Sequence, residues 1–157
     1  SLGEKLLVRS KEVYDGAIPS GNSVSANNYI KLSRILSRHD YDDIAYKLIH
    51  SFAPNLNRYG RGSSMMLQAI DFMQGPSYEV IIVGERAKSE KILKEIQKHP
   101  QFNKVIILKD EKYDMKTFNF LEFYESKTNG DPLVYVCQNF TCDLPTNDID
   151  KIYELLE

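Results

Sequence analysis

The spacing of apolar residues changes at one place, Gln74-Gly75-Pro76-Ser77, and that change limits the fold more than any other feature. Before it the spacing is helical. From Tyr41 onward Ile44, Ala45, Leu48, Ile49, Phe52, Ala53 and Leu56 follow the i, i+3, i+4, i+7 pattern of an amphipathic helix. Asp40 is the expected N-cap, with Asp42 and Asp43 well placed against the helix dipole. Pro54 is expected to distort or end that helix. A shorter helix should follow the Gly60-Arg61-Gly62 turn, with Met65, Met66, Ala69, Ile70 and Met73 on its apolar side. An earlier segment, about 22–38, carries Val24, Ile30, Leu32, Ile35 and Leu36.

After the boundary the apolar residues come in short runs without polar alternation, at 78–83, 104–108 and 133–137. Such runs fit strands buried on both faces, as in a parallel sheet. Residues 89–98 read as a helix facing inward through Ile92, Leu93 and Ile96, and a closing helix is expected after Pro145 with Thr146 as its cap. The expectation is therefore a helical segment, 1–75, packed on a small α/β unit, 76–157. That unit should be two- or three-layered, with a mainly parallel sheet of about three strands and right-handed crossovers, α+β overall.

Composition removes several classes. At 157 residues and a net charge of −2, the chain is too hydrophobic and too evenly charged to be disordered. Lys plus Arg number nine against seven acids in 1–75, and eleven against fifteen in 76–157. Neither half has the footprint of a nucleic-acid or membrane partner. Val80-Ile81-Ile82-Val83 is far too short to span a bilayer. Two cysteines are too few for a disulfide-stapled scaffold, and no secretory signal opens the chain, so a cytoplasmic location is expected. The start at Ser1-Leu2, without Met, suggests a fragment.

Three stretches deserve a chemical reading. Between Gly16 and Ile30 no residue is charged, yet Ser20, Asn22, Ser23, Ser25, Asn27 and Asn28 crowd together. Ser and Asn weaken an exposed helix, so their concentration implies burial against polar groups or a polyol ligand. Asp15 would be the acid/base or hydroxyl-binding group, with Ser20, Asn22 and Asn27 on neutral hydroxyls. The simpler alternative, favoured on the residues alone, is a capped loop with Ser20 or Asn22 as the cap. Cys137 and Cys142 form the second stretch. Their spacing is not the C-x-x-C redox motif, no activating base is nearby, and buried inert thiols are the favoured reading over a disulfide or redox pair. In the third, Val83-Gly84-Glu85, one glycine makes a turn and not a phosphate loop. Lys88, Lys91, Lys94 and Lys98 read as a solvated helix face and 110–114 as an exposed connection. His39, His50 and His99 are scattered; no metal site and no cofactor are expected.

Two segments, 14–23 (YDGAIPSGNS) and 135–142 (YVCQNFTC), resemble the YyaL / spermatogenesis-associated protein 20 family, and 65–69 and 79–84 agree in the same order. The resemblance runs through essentially the whole chain. It implies a larger protein in which a thioredoxin-like domain precedes an α/α-toroid similar to six-hairpin glycosidases and sugar epimerases. This chain would be its carboxyl-terminal portion, the last toroid helices with an appended α/β unit. The rest of that protein is then the expected partner. A second copy of the chain is another, because isolated toroid helices would expose apolar faces. Function is expected to be structural or interactive, with no complete active site. The alternative is a contribution to a sugar-processing site, whose second carboxylate would come from outside the chain.

Overall fold

The computed structural model describes residues 11–114, 116–127, 131–138 and 141–157. Ser1 and Leu2, and Asn139 and Phe140 within the Cys137–Cys142 stretch, lie outside the described residues. Among the described residues four helices come first: α1 (Gly21–Leu36), α2 (His39–Ser51), α3 (Ala53–Tyr59) and α4 (Ser64–Gln74), with a 3-10 turn at Gly60–Gly62 before the last. Strands and helices then alternate: β1 (Tyr78–Val83), α5 (Arg86–Lys98), β2 (Lys104–Lys109), a 3-10 turn at Asn119–Phe123, β3 (Leu133–Gln138), β4 (Thr141–Cys142) and α6 (Ile149–Glu154).

The change from helix to strand falls at Gly75, whose φ of 79° is natural only to glycine. The helical pattern does break at Pro54: α2 ends at Ser51, and Pro54 occupies the first turn of a new helix, α3, where its missing N–H costs nothing. Asp40 is not the cap, because α2 opens one residue earlier with Arg38 in the N-cap position; Asp40 lies in the first turn, where the Arg38 guanidinium holds both its oxygens, at 3.0 and 2.5 Å. Asp148 caps α6 in place of Thr146, which instead pairs with Val134 at the sheet edge.

Among the described residues the sheet has four strands, in the order β2-β1-β3-β4. The α+β class holds, but the expectation of a mainly parallel three-strand sheet is corrected. Only β1 and β2 run parallel; β1–β3 and β3–β4 are antiparallel. The misreading has a physical source. An unbroken apolar run reports burial on both faces, which central strand β1 has throughout, and says nothing about direction.

One sheet face, through Tyr78, Val80, Ile82, Val134 and Val136, packs on Ile96 of α5 and on Ile152 and Leu156 near the chain's end. The opposite face is shared. At the Ile81, Val83 and Ile107 end it is covered by Leu121 and the aromatic side chains of Tyr113, Phe118, Phe120 and Tyr124. At the other end, Val105 of β2 joins the helical core of Ala26, Ile30, Ala45, Phe52, Met66, Ala69 and Phe72. Residues 110–114 are accordingly not wholly exposed, since Asp110 is buried and Tyr113 packs on this face. Among the described residues, no helix is long and apolar enough to cross a membrane.

Candidate functional site

The uncharged stretch is sheltered only in part: residues 16–19 and Asn28 are exposed, and where the stretch is buried, along α1, the shelter is helix packing. Ser23, Ala26, Asn27, Ile30 and Ser33 form a buried stripe along α1, the helix that contacts both α2 and α4. Small side chains let helices approach closely; each polar one needs a partner at the contact. Asn27 Nδ2 donates to Met65 O at 2.6 Å and to Ser23 O at 3.1 Å. Asn22 Nδ2 donates to Glu12 O at 2.7 Å. Ser20 is the N-cap of α1: its Oγ accepts from Ser23 N–H at 3.1 Å and lies 2.8 Å from Ser23 Oγ.

Asp15 ties these pieces together. Its Oδ1 accepts from Ser20 N–H at 2.8 Å, and its Oδ2 from Met65 and Met66 N–H at 2.9 and 3.2 Å. Ser63, the residue before α4, makes no side-chain cap bond, so Asp15 caps that helix from fifty positions away in sequence. Burial pushes the Asp15 carboxyl up, but bonds from Ser20, Ser23, Met66 and Met65 outweigh it and hold the group below the ordinary carboxylate range. A general acid needs the reverse shift.

Cys137 and Cys142 are joined in a disulfide, with Cα atoms 3.9 Å apart across the β3–β4 pair. This corrects the expectation of inert free thiols. The hairpin brings the two together as register partners, a geometry that spacing does not reveal. Cys137 does end a strand, but β3 is antiparallel to β1. Its carboxyl end therefore lies opposite the edge where β1 and β2 terminate, away from the usual ligand edge of parallel strands.

Cys137 also lines a cavity of about 240 Å³ together with Arg34, Ser37, Glu79, Phe123 and Tyr124. Arg34 Nε and Glu79 Oε1 are 3.4 Å apart, with side chains only 11% and 7% exposed. This buried ion pair joins the end of α1 to the central strand. The residues on their own did not point to it, although a signal was present. Glu79 is a charge inside an apolar run, and a buried charge requires an opposite partner. Tyr124, beside it, has its hydroxyl 3.5 Å from Cys142 Sγ; burial, reinforced by the Glu79 charge, pushes its pKa up.

A larger cleft, about 760 Å³, opens where β1 and β2 end, lined by Gly84, Glu85, Lys109, Asp110, Glu122 and Tyr124 among others. Its basic group is spent on structure: Lys109 Nζ donates to Leu121 O and Tyr124 O at 2.8 and 2.7 Å. Asp110 bonds the Lys112 N–H and pairs with Arg86 at 3.1 Å, which keeps its carboxyl below the ordinary range. Among the described residues, no three His, Cys, Asp or Glu side chains converge as a metal cage.

No family model matches the chain, and no solved structure matches it. Curated relatives do. Spermatogenesis-associated protein 20 of Homo sapiens is 31% identical over 160 residues, covering 99% of this chain and 20% of the human protein. The chain belongs to the spermatogenesis-associated protein 20 family. The Rattus norvegicus protein of the same name is 30% identical over the same share, and an uncharacterised Caenorhabditis elegans protein is 29% identical over 97% of the chain. The chain spans about a fifth of the length of the curated relatives it matches. The family names state no reaction, so the chemistry of this member rests on its own geometry.

Proposed function

We propose that this chain is a structural and interaction region of a larger family protein, without a complete active site of its own. Residues 1–75 would be the last helices of an α/α-toroid and 76–157 an α+β unit locked against them, with the thioredoxin-like domain elsewhere in the protein. The observation that carries this reading is the use made of Asp15. The one carboxylate in the sugar-like stretch has both oxygens engaged by backbone N–H groups of α4 and of the α1 N-cap. A group serving substrate hydroxyls or protons would need a lone pair turned to a cavity.

The exposed apolar groups support an interaction role. Tyr14, Ile18 and Tyr59 are 70%, 83% and 69% exposed, and Tyr14 and Tyr59 line an apolar cleft of about 590 Å³ with Arg58 and Arg61. The remainder of the longer chain is the partner we assign to that face.

The test is a glycan and metabolite binding screen on the full-length protein, repeated with Asp15→Asn. Binding should be unchanged while thermal stability falls. Lost binding at unchanged stability would return Asp15 to a substrate site and overturn the reading.

A further inference from the structure

The Cys137–Cys142 bond joins two unequal sulfur atoms. Cys137 is 2% exposed and packs on the sheet face with Ile81, Ile107 and Tyr135. Cys142 belongs to the exposed two-residue edge strand β4. Thiol–disulfide exchange requires a thiolate to reach one sulfur of the bond, so access selects which sulfur is attacked and which leaves. The inner sulfur has a defined environment. Glu79 stands directly opposite Cys137 in the β1–β3 register, and both line the small cavity that Arg34 shares. The outer sulfur has the Tyr124 hydroxyl at 3.5 Å.

We propose that this disulfide is a thiol-exchange site for an external dithiol, attacked at Cys142 Sγ, with Cys137 Sγ as the leaving sulfur. The attacking thiolate forms a bond to Cys142 Sγ as the Cys137–Cys142 bond breaks. The electron pair leaves on Cys137 Sγ, in the cavity where the Arg34 guanidinium offsets the charge that Glu79 opposes, and a proton from water completes the thiol. The dithiol's second sulfur then attacks the mixed disulfide, and Cys142 leaves and is protonated in turn. The dithiol is oxidised to its disulfide and the two cysteines are reduced, a transfer of two electrons. Tyr124, whose pKa burial raises, stays protonated near neutral pH and can donate to the departing Cys142 sulfur. After reduction, the edge is still tied by Asp143 N–H to Val136 O and by the Val134–Thr146 pair, so the central sheet stays intact.

The experiment uses the intact protein and reduced glutathione near neutral pH without denaturant, quenched in acid. The two cysteines are separated by cleavage after Phe140 and mapped by mass. The glutathione adduct should sit on Cys142 in at least about tenfold excess over Cys137. In a second measurement, Cys137→Ser protein should react with N-ethylmaleimide at least about tenfold faster than Cys142→Ser protein. An adduct mainly on Cys137, equal alkylation rates, or no adduct until urea unfolds the chain would each overturn the proposal.

Discussion

Replacing Asp15 by Ala removes the acceptor of three backbone N–H groups at once. Two of them open α4, whose own cap residue supplies no side-chain bond, and the third belongs to Ser20, which caps α1. A lost N-cap costs about 0.5–2 kcal/mol, and hydrogen bonds to a charged acceptor contribute about 1.5–3 kcal/mol. Asp15 is only partly buried, so water replaces some of what is lost, and the two helices together should lose about 2–3 kcal/mol. For a chain of this length that corresponds to a melting point lower by roughly 4–12 °C. Asp15→Asn keeps one acceptor oxygen and should fall between.

The effect depends on pH in a definite direction. The folded carboxyl is held below its unfolded value, so its contribution is fully present above the unfolded pKa and is lost as pH falls through the folded one. The gap between the original protein and Asp15→Ala should persist at neutral pH and close in acid below the ordinary carboxylate range. Urea and thermal unfolding followed by far-UV circular dichroism measure both. An Asp15→Ala protein within about 0.5 kcal/mol of the original at pH 7 would refute the capping argument.

Other substitutions probe the remaining joints. Glu79→Leu should cost about 3–5 kcal/mol because it removes the carboxylate that faces the buried Arg34, whereas Glu79→Leu with Arg34→Met should recover most of that loss; urea titration of the three proteins decides. Gly84→Ala would place a Cβ 2.8 Å from Pro132 Cα at a φ of 154°, and should lower stability by about 1–3 kcal/mol in the same assay. Ile96→Ala empties a fully buried position between α5 and the sheet and should cost about 2–5 kcal/mol, whereas Lys94→Ala on the exposed face should change stability by less than about 0.5 kcal/mol. If the longer chain covers the cleft at Tyr14 and Tyr59, hydroxyl-radical footprinting should find both tyrosines protected in the full-length protein and labelled in the 157-residue piece; equal labelling would count against that partner.

The stability experiments share one theme: the helical part and the sheet are joined by polar contacts at defined points. Arg34 reaches Glu79 at one of them, and Asn103 Nδ2 donates to Asp71 Oδ2 at 2.6 Å at another. Between them, Val105 inserts into the helical core. Such a joint is partly polar, as interfaces within a chain often are, and its ion pair is costly to break from one side.

Much of this architecture is legible in the residues, because burial imposes a period. The 3.6-residue stripes of α2 and α4, the apolar runs of β1, β2 and β3, and the break at Gly75-Pro76 each follow from which side chains must avoid water. The polar crowding between Gly16 and Ile30 signals shelter only in part: the α1 stripe is buried, while residues 16–19 stay exposed. What sequence could not settle lies in relations between distant segments. Strand direction, the bond between Cys137 and Cys142, the reach of Asp15 to Met65 and the meeting of Arg34 with Glu79 all depend on chain packing. Periodicity records whether a side chain is buried, a local quantity. The partner it is buried against is chosen by where the chain returns, and that exists only in three dimensions.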